Sequence, residues 1–341
     1  MLRLRSAFVT IATVTSLNVV MGLAPIQAAE INLYSSRHYQ SDEELYKVFT
    51  KETGIAVNVI QSGGSDLIQR LQREGRNSPA DVFLTEDAGV IGRAAMVGLL
   101  QPIKSPALEA AIPANLREPD GNWFGFTQRA RVIMYHKDRV KPSDLSTYED
   151  LANPKWKGKI LVRSSGNAYN QSLVASLMHA DGVEKTELWA KAIVANMARK
   201  PQGGDRDQII ALLAGEGDIA ISNTYYLGHL IQENPKGYDK IGVFFPNQND
   251  RGAHVNVSGG GVTRYAPNKE NAIKFLEFMA RPEAQKSFAA ANFEYPVLQG
   301  VPVSPVIAAW GMDFKRDPLN VSILAKSNAD AVKLMDRAGW Q

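Results

Sequence analysis

The sequence predicts an α/β fold of two domains joined by a two-strand hinge. Three observations carry this. Short apolar runs alternate with amphipathic stretches along most of the chain, the pattern of strands and helices layered on a sheet. At 341 residues the chain exceeds one ordinary hydrophobic core. Two extended segments, roughly 126–136 and 254–263, separate α/β units lying outside and between them. A chain that crosses from one lobe to the other and later returns needs two such connectors.

The elements follow in order. Ile31 to Tyr34 reads as a strand, and Ser41 with Glu44 forms a capping box opening a helix with Leu45, Val48 and Phe49 on its apolar face. Ile55 to Ile60 is the next strand, followed by Ser62-Gly63-Gly64-Ser65 and a helix from Asp66 to Glu74. Asp81 to Leu84 is a third strand with a helix after Thr85. In the middle of the chain Arg131 to His136 and Lys159 to Val162 read as strands, and Tyr148 to Leu151 as a short helix. Helices are expected at Gln171 to His179, Glu184 to Met197, Asp205 to Leu213 (closed by Gly215) and Tyr225 to Gln232. Strands are expected at Asp218 to Ile221 and Ile241 to Phe245. His254 to Thr263 is extended and contains Gly259 to Gly261, either a flexible crossing or a bulge within one sheet. Helices then follow at Lys269 to Met279, Pro282 to Ala290 and Asn328 to Ala338.

The first residues stand apart. Arg3 and Arg5 precede an uncharged apolar run from Ala7 to Ala24, and Pro25 and the small pair Ala28-Ala29 follow. That is the layout of a secretory signal peptide over residues 1–28, cleaved near Ala28. It implies an exported, periplasmic protein. Cysteine is absent, which excludes disulfides, thiolate metal sites and thiol catalysis. Two of the 38 cationic residues and none of the 35 acids lie in residues 1–28, leaving a net charge of +1. A near-neutral domain has no electrostatic footprint for nucleic acid.

Ligands of α/β folds gather at the carboxyl ends of strands, where loops enter helix N-termini. The residues at those junctions are Arg37, His38 and Tyr39, then Tyr169, then Tyr225 and Tyr226, the last two just inside a helix capped by Asn223. Turns favour Gly, Asn, Asp and Ser, so four tyrosines there are out of place. Adjacent helical residues do not share a face, and only at a helix end can both rings of Tyr225-Tyr226 lean over one point. An isolated Tyr in a loop is ordinarily packing; four at such junctions bring in metal binding as a reading beside packing. Phenolate is a hard oxygen donor suited to a hard cation such as Fe³⁺, and imidazole also suits iron. A free Tyr titrates near pH ~10, so the metal's own charge must drive the proton off. Four phenolates and a neutral imidazole around Fe³⁺ sum to −1, which Arg37, Arg129 or Arg131 could offset.

The segments Ser36-Arg37-His38-Tyr39, Asn153 to Lys159, Ser222-Asn223-Thr224-Tyr225-Tyr226 and Phe293-Glu294-Tyr295-Pro296-Val297 resemble the bacterial ferric-binding proteins, most of all the cyanobacterial FutA/IdiA type. The resemblance runs over essentially the whole mature chain. It implies a class II, transferrin-like periplasmic binding protein, with one lobe at 29–127 and 257–310 and the other at 128–256 and 311–341. It further implies an iron ligand set of His38, Tyr39, Tyr169, Tyr225 and Tyr226, with Arg129 as a cation behind them. Tyrosines then fill the places that transferrin-like relatives give to a carboxylate and a free anion. The implied protein is a monomer that is not an enzyme. It carries Fe³⁺ as transported ligand to an ABC permease in the inner membrane.

Other signals are set aside. Gly215-x-Gly217-x-x-Ala220 follows a helix and precedes a strand, the reverse of a dinucleotide fingerprint. Glu86 and Asp87 read as solvated acids at a helix start, and His229 as a surface residue. No Gly-x-Ser-x-Gly, Walker A or His-Glu-x-x-His motif occurs, so an enzyme has no positive support. The same fold carrying a small anion or a polyamine is the remaining alternative.

Overall fold

The computed structural model describes residues 29–37 and 39–341. The expected signal peptide and His38 lie outside the described residues. Among the described residues no helix is long and apolar enough to cross a membrane.

Nine strands form one connected system: β1 Glu30–Ser35, β2 Ala56–Gln61, β3 Val82–Thr85, β4 Phe124–His136, β5 Ile160–Leu161, β6 Ile219–Asn223, β7 Ile241–Phe244, β8 Val255–Val262 and β9 Tyr295–Pro296. Their order is β2-β1-β3-β8-β4-β6-β5, with β7 and β9 also paired to β4. β1 lies parallel to both β2 and β3, and β5 parallel to β6. β8 runs antiparallel between β3 and the first half of β4, while the second half of β4 pairs with β6 and β7. One strand thus belongs to two sheets. Such long antiparallel strands as β4 and β8 meet the demand for two connectors.

β4 is longer than its apolar run predicts, because the polar residues Thr127, Gln128, Arg129 and Arg131 are buried in it. Alternate strand residues share a face, so Thr127, Arg129 and Arg131 line up on one side. The bulge lies on β4, between Gly125 and Thr127. The Gly259–Gly261 run on β8 keeps regular register with β3 and has no positive φ, so it is neither a flexible crossing nor the bulge itself. Its glycines admit close neighbours: a Cβ would stand 2.7 Å from Ile91 at Gly259 and 2.5 Å from the Asn122 carbonyl at Gly261.

Several helix starts differ from expectation according to what the nearby polar side chains do. The first helix runs Gln40–Thr53 with Tyr39, not Ser41, at its N-cap position and no side-chain cap. Ser41 Oγ instead donates to Asn292 Oδ1 at 2.6 Å. Val48 is exposed, and Tyr46 takes its place in the core. The helix expected from Gln171 begins at Ala168, because Asn167 accepts from the Tyr169 and Asn170 amides; Tyr169 is therefore in its first turn. Gly63 and Gly64 open the helix Gly64–Glu74 without a side-chain cap, and Tyr148 precedes a 3₁₀ turn at Glu149–Ala152. Gly215 ends its helix at φ +87° as expected.

Asp87 is fully buried rather than solvated. It caps the helix Ala88–Met96 through the Val90 amide and accepts from Ser172 Oγ and Asn256 Nδ2. That helix packs on the segment Ile323–Lys326 so closely that a Cβ on Gly92 would collide with the Ala325 side chain. Gly92→Val is expected to cost about 1–3 kcal/mol by overpacking. Denaturant unfolding checks this, with Ala325→Gly recovering part of the loss.

Candidate metal centre

Three helix N-termini and one helix-capping residue bring the tyrosines together. Tyr39 precedes Gln40–Thr53, Tyr169 sits in the first turn of Ala168–Asp181, and Tyr225 and Tyr226 open Thr224–Glu233. The Tyr225 hydroxyl donates to the Tyr169 hydroxyl at 3.2 Å. The Tyr225 and Tyr226 rings lie 4.2 Å apart, tilted by 32°, which adjacent residues reach only at a helix end. The Tyr39 ring meets Tyr225 edge-on at 6.3 Å. Tyr39, Tyr169, Tyr225 and Tyr226 are thus side by side, from segments almost 190 residues apart in sequence.

One buried guanidinium ties two of these helices to a third, Asp205–Ala214. Arg131 donates from Nη1 to Asp205 Oδ1 at 3.0 Å and to Asn223 Oδ1 at 3.1 Å. From Nη2 it donates to Asn170 Oδ1 at 2.5 Å. Asp205 opens the helix Asp205–Ala214, Asn223 precedes Tyr225-Tyr226, and Asn170 follows Tyr169. Asn223 was expected to cap its helix by its side chain; it makes no such bond because that oxygen serves Arg131. Asp205 also holds Arg163, whose Nη1 donates to Oδ2 at 2.9 Å. Arg163 was not singled out from the sequence. Its place directly after β5, at a ligand junction, is the signal that could have found it.

A second ionic network lies behind Tyr39 and Tyr225. Arg37 pairs with Asp42 at 2.7 Å and with Glu294 at 3.1 Å, and Arg129 pairs with Glu294 at 2.7 Å. All four side chains are at most 4% exposed. The Arg37 guanidinium also lies over the Tyr39 ring at 5.0 Å, and Arg129 over the Tyr225 ring at 5.9 Å. Arg37, Arg129 and Arg131, each expected as a free offsetting cation, are therefore already paired with carboxylates. Arg37, Arg129 and Arg131 are buried and Arg163 is partly exposed; they face Asp42, Glu294 and Asp205, with Glu86 also close to Tyr169.

The phenols are held protonated. Burial pushes Tyr39 up, Glu294 adds to this, and Arg37 and Arg129 oppose it. Burial likewise raises Tyr169 and Tyr225, reinforced by the neighbouring tyrosines and opposed by Arg129. Burial and Asp205 raise Tyr226, while hydrogen bonds from Tyr225 and Tyr169 and the charge of Arg163 lower it. Glu86, half-buried and bonded by Ser36 Oγ, adds negative charge near Tyr169. His229 is not a plain surface residue: it stacks on Tyr39 at 6.1 Å and meets Phe293 edge-on at 5.1 Å.

Several buried donors around the tyrosines are left unpaired. Among the described residues Arg129 Nε and Nη1, Arg131 Nε, Arg163 Nε, Asn223 Nδ2 and Thr224 Oγ1 have no hydrogen-bond partner. Buried polar groups are normally satisfied, so these unpaired donors fit a site built to receive negative charge. Among the described residues no group of three or more His, Asp or Glu is arranged to hold a metal.

Helix N-termini that converge beside the long strands β4 and β8 fit the architecture of a solute-binding protein. The chain belongs to the bacterial extracellular solute-binding proteins, whose family model matches residues 35–286. It is 54% identical over 321 residues to the iron uptake protein A1 of Synechocystis sp., covering 93% of this chain and 89% of that one. The structure of Trichodesmium IdiA (FutA) in complex with iron and citrate ligands matches with a TM-score of 0.89 at 58% identity. That match covers 92% of this chain and 100% of the other. The ferric binding protein of Campylobacter jejuni matches at 0.87 and 43% identity, covering 91% and 100%. These relatives are substrate-binding transport proteins, not enzymes. The resemblance to the FutA/IdiA type and the two-lobed class II fold read from the sequence are borne out by these matches.

Proposed function

We propose that this protein binds one Fe³⁺ through Tyr39, Tyr169, Tyr225 and Tyr226 with His38 as fifth ligand, and delivers it from the periplasm to an ABC permease. The convergence of four tyrosines, Tyr169 and Tyr225 buried and Tyr39 and Tyr226 half-buried, beside unpaired donors and paired arginines is the observation that carries this reading. Four phenolates and a neutral His38 around Fe³⁺ leave −1, and the guanidiniums of Arg37, Arg129 and Arg163 beside the tyrosines favour that charge. Arg129 acts from behind Tyr225, in the role the sequence resemblance implies. The matched proteins are named for iron uptake or ferric iron binding, which supports the same cargo.

The lobes in this reading are residues 29–127 with 257–310 and residues 128–256 with 311–341. They are joined by β4 and β8 and close by a hinge motion. Tyr39 belongs to the first lobe, and Tyr169, Tyr225 and Tyr226 to the second, so the metal is held fully only when the two approach. The protein acts as a monomer.

Titration of the mature protein with chelated Fe³⁺ tests the proposal. A visible phenolate-to-iron charge-transfer band saturating at one iron per chain is expected; its absence makes the tyrosines packing and redirects the fold to another solute. Because burial keeps the empty-site phenols protonated, binding must release protons, up to one per tyrosine. Affinity therefore falls as pH falls. Proton release into weak buffer, read with an indicator dye, gives the number directly.

A further inference from the structure

Glu294 is a fully buried carboxylate that no ligand role explains. It lies in Asn292–Tyr295, a segment tied to both tyrosine-bearing regions. Asn292 accepts from Ser41 Oγ at 2.6 Å and donates to Asp42 Oδ1 at 3.2 Å, both on the helix that Tyr39 precedes. Phe293 holds a left-handed backbone at φ +54°, unfavourable for a side chain this large. It packs against Gly228 of the Tyr225-Tyr226 helix so tightly that a Cβ there would stand 2.5 Å from its ring. Strain of this kind persists only where the surroundings over-determine it. The segment is therefore fixed in place, and with it the Glu294 carboxylate.

That carboxylate takes the donors that face the tyrosines. Arg129 spends Nη2 on Glu294 and on Thr127 and Ser258, while Nε and Nη1 have no partner among the described residues. Arg37 gives Nη2 to Glu294 at 3.1 Å while its face covers Tyr39. Burial pushes the Glu294 carboxyl up, but Arg37 and Arg129 outweigh that and hold it below the usual range, so it is charged. Each arginine thus stands between a fixed anion on one side and a tyrosine ring on the other.

We infer that Glu294 is the resident counter-anion of the empty site and lowers iron affinity by competing with the tyrosinates for Arg37 and Arg129. With the site empty, Glu294 and Asp42 balance the two arginines. When Tyr39 and Tyr225 become phenolates, the same arginines face two further anions, and Glu294 repels the charge that iron binding brings. A carrier that must surrender its cargo benefits from such a weight against holding it. Glu294 is a positioning residue here and touches no metal.

This inference rests on the tyrosinate reading above, and one experiment separates the two. Glu294→Gln keeps shape and removes the charge. The charge-transfer band should persist, iron affinity measured by citrate competition should rise on the order of tenfold, and the empty protein should melt earlier while iron restores its melting point. A residue that merely holds the fold would instead lose affinity when replaced, and an unchanged or weakened affinity overturns the inference. Glu294→Asp, which retains the charge, should stay within about threefold of the parent; a gain equal to that of the Gln variant also overturns it. If Glu294→Gln does not fold, Asp42→Asn, which frees Arg37 of its other carboxylate, must raise affinity too, and a fall overturns the idea. Absence of the band in the parent protein would count against the tyrosinate reading itself.

Discussion

Replacing Tyr225 and Tyr226 together by Phe is expected to abolish the iron charge-transfer band and to weaken Fe³⁺ binding by about a thousandfold or more. The estimate follows from removing two anionic ligands at once, each of which contributes a bond and a full charge against a trivalent ion in a buried setting. The fold should survive. Phe keeps the 4.2 Å ring packing, and the empty protein loses the Tyr225–Tyr169 hydrogen bond and those of the Tyr226 hydroxyl with Tyr225 and Tyr169, each worth about 1 kcal/mol. Circular dichroism and thermal unfolding of the empty variant give the control. Iron affinity close to the parent's, with the fold intact, would remove these two residues from the site. The single variants should be unequal. Tyr225 bonds to Tyr169 and lies against Arg129, whereas Tyr226 is less buried and answers to Asp205 and Arg163. Losing Tyr225 is therefore the larger single change.

What the sequence disclosed and what it hid divide along a physical line. Short apolar runs bounded by turn residues gave β1, β3, β6 and β7 nearly at their observed bounds, since an apolar strand announces its own burial. The tyrosine junctions were legible because tyrosine is foreign to a turn, and Tyr225-Tyr226 because neighbours on a helix share a target only at its end. Buried charge was not legible. Arg37, Asp42, Asp87, Asp205 and Glu294 are each nearly inaccessible, yet in a sequence a buried ion looks like a solvated one. Only partners that are distant along the chain, such as Glu294 for Arg37, make its burial affordable. The alternation that marks a strand began only at Arg131, while the buried polar residues before it were read merely as extended. The same blindness turned Ser41 and Asn223 into caps when their oxygens had other partners. His229 was misjudged in the same way, since its contact with Tyr39 joins residues 190 positions apart.

Arg131→Met is expected to cost the empty protein about 3 kcal/mol and to loosen iron binding without touching a ligand. Removing one member of a buried ionic cluster leaves the others uncompensated, and here the loss falls on Asp205, Asn223 and Asn170 together. Met fills the stem of the arginine but supplies no donor, so the helix starts that carry Tyr169 and Tyr225-Tyr226 lose their common anchor. Groups that orient metal ligands from behind typically govern about 10- to 100-fold in metal affinity, and a weakening in that range is expected. Stability and affinity are separable by adding Asp205→Asn. That second change removes the stranded carboxylate and should recover part of the stability, measured by denaturant unfolding. It cannot restore the anchor, so iron affinity should stay low. Recovery of both together would mean that Arg131 acts through charge balance alone. Arg131→Lys sharpens the contrast: a point charge still faces Asp205, but it cannot reach Asn223 and Asn170 with a planar fork. It should keep more stability than affinity, because the positions of three tyrosines depend on the geometry of the guanidinium as well as on its charge.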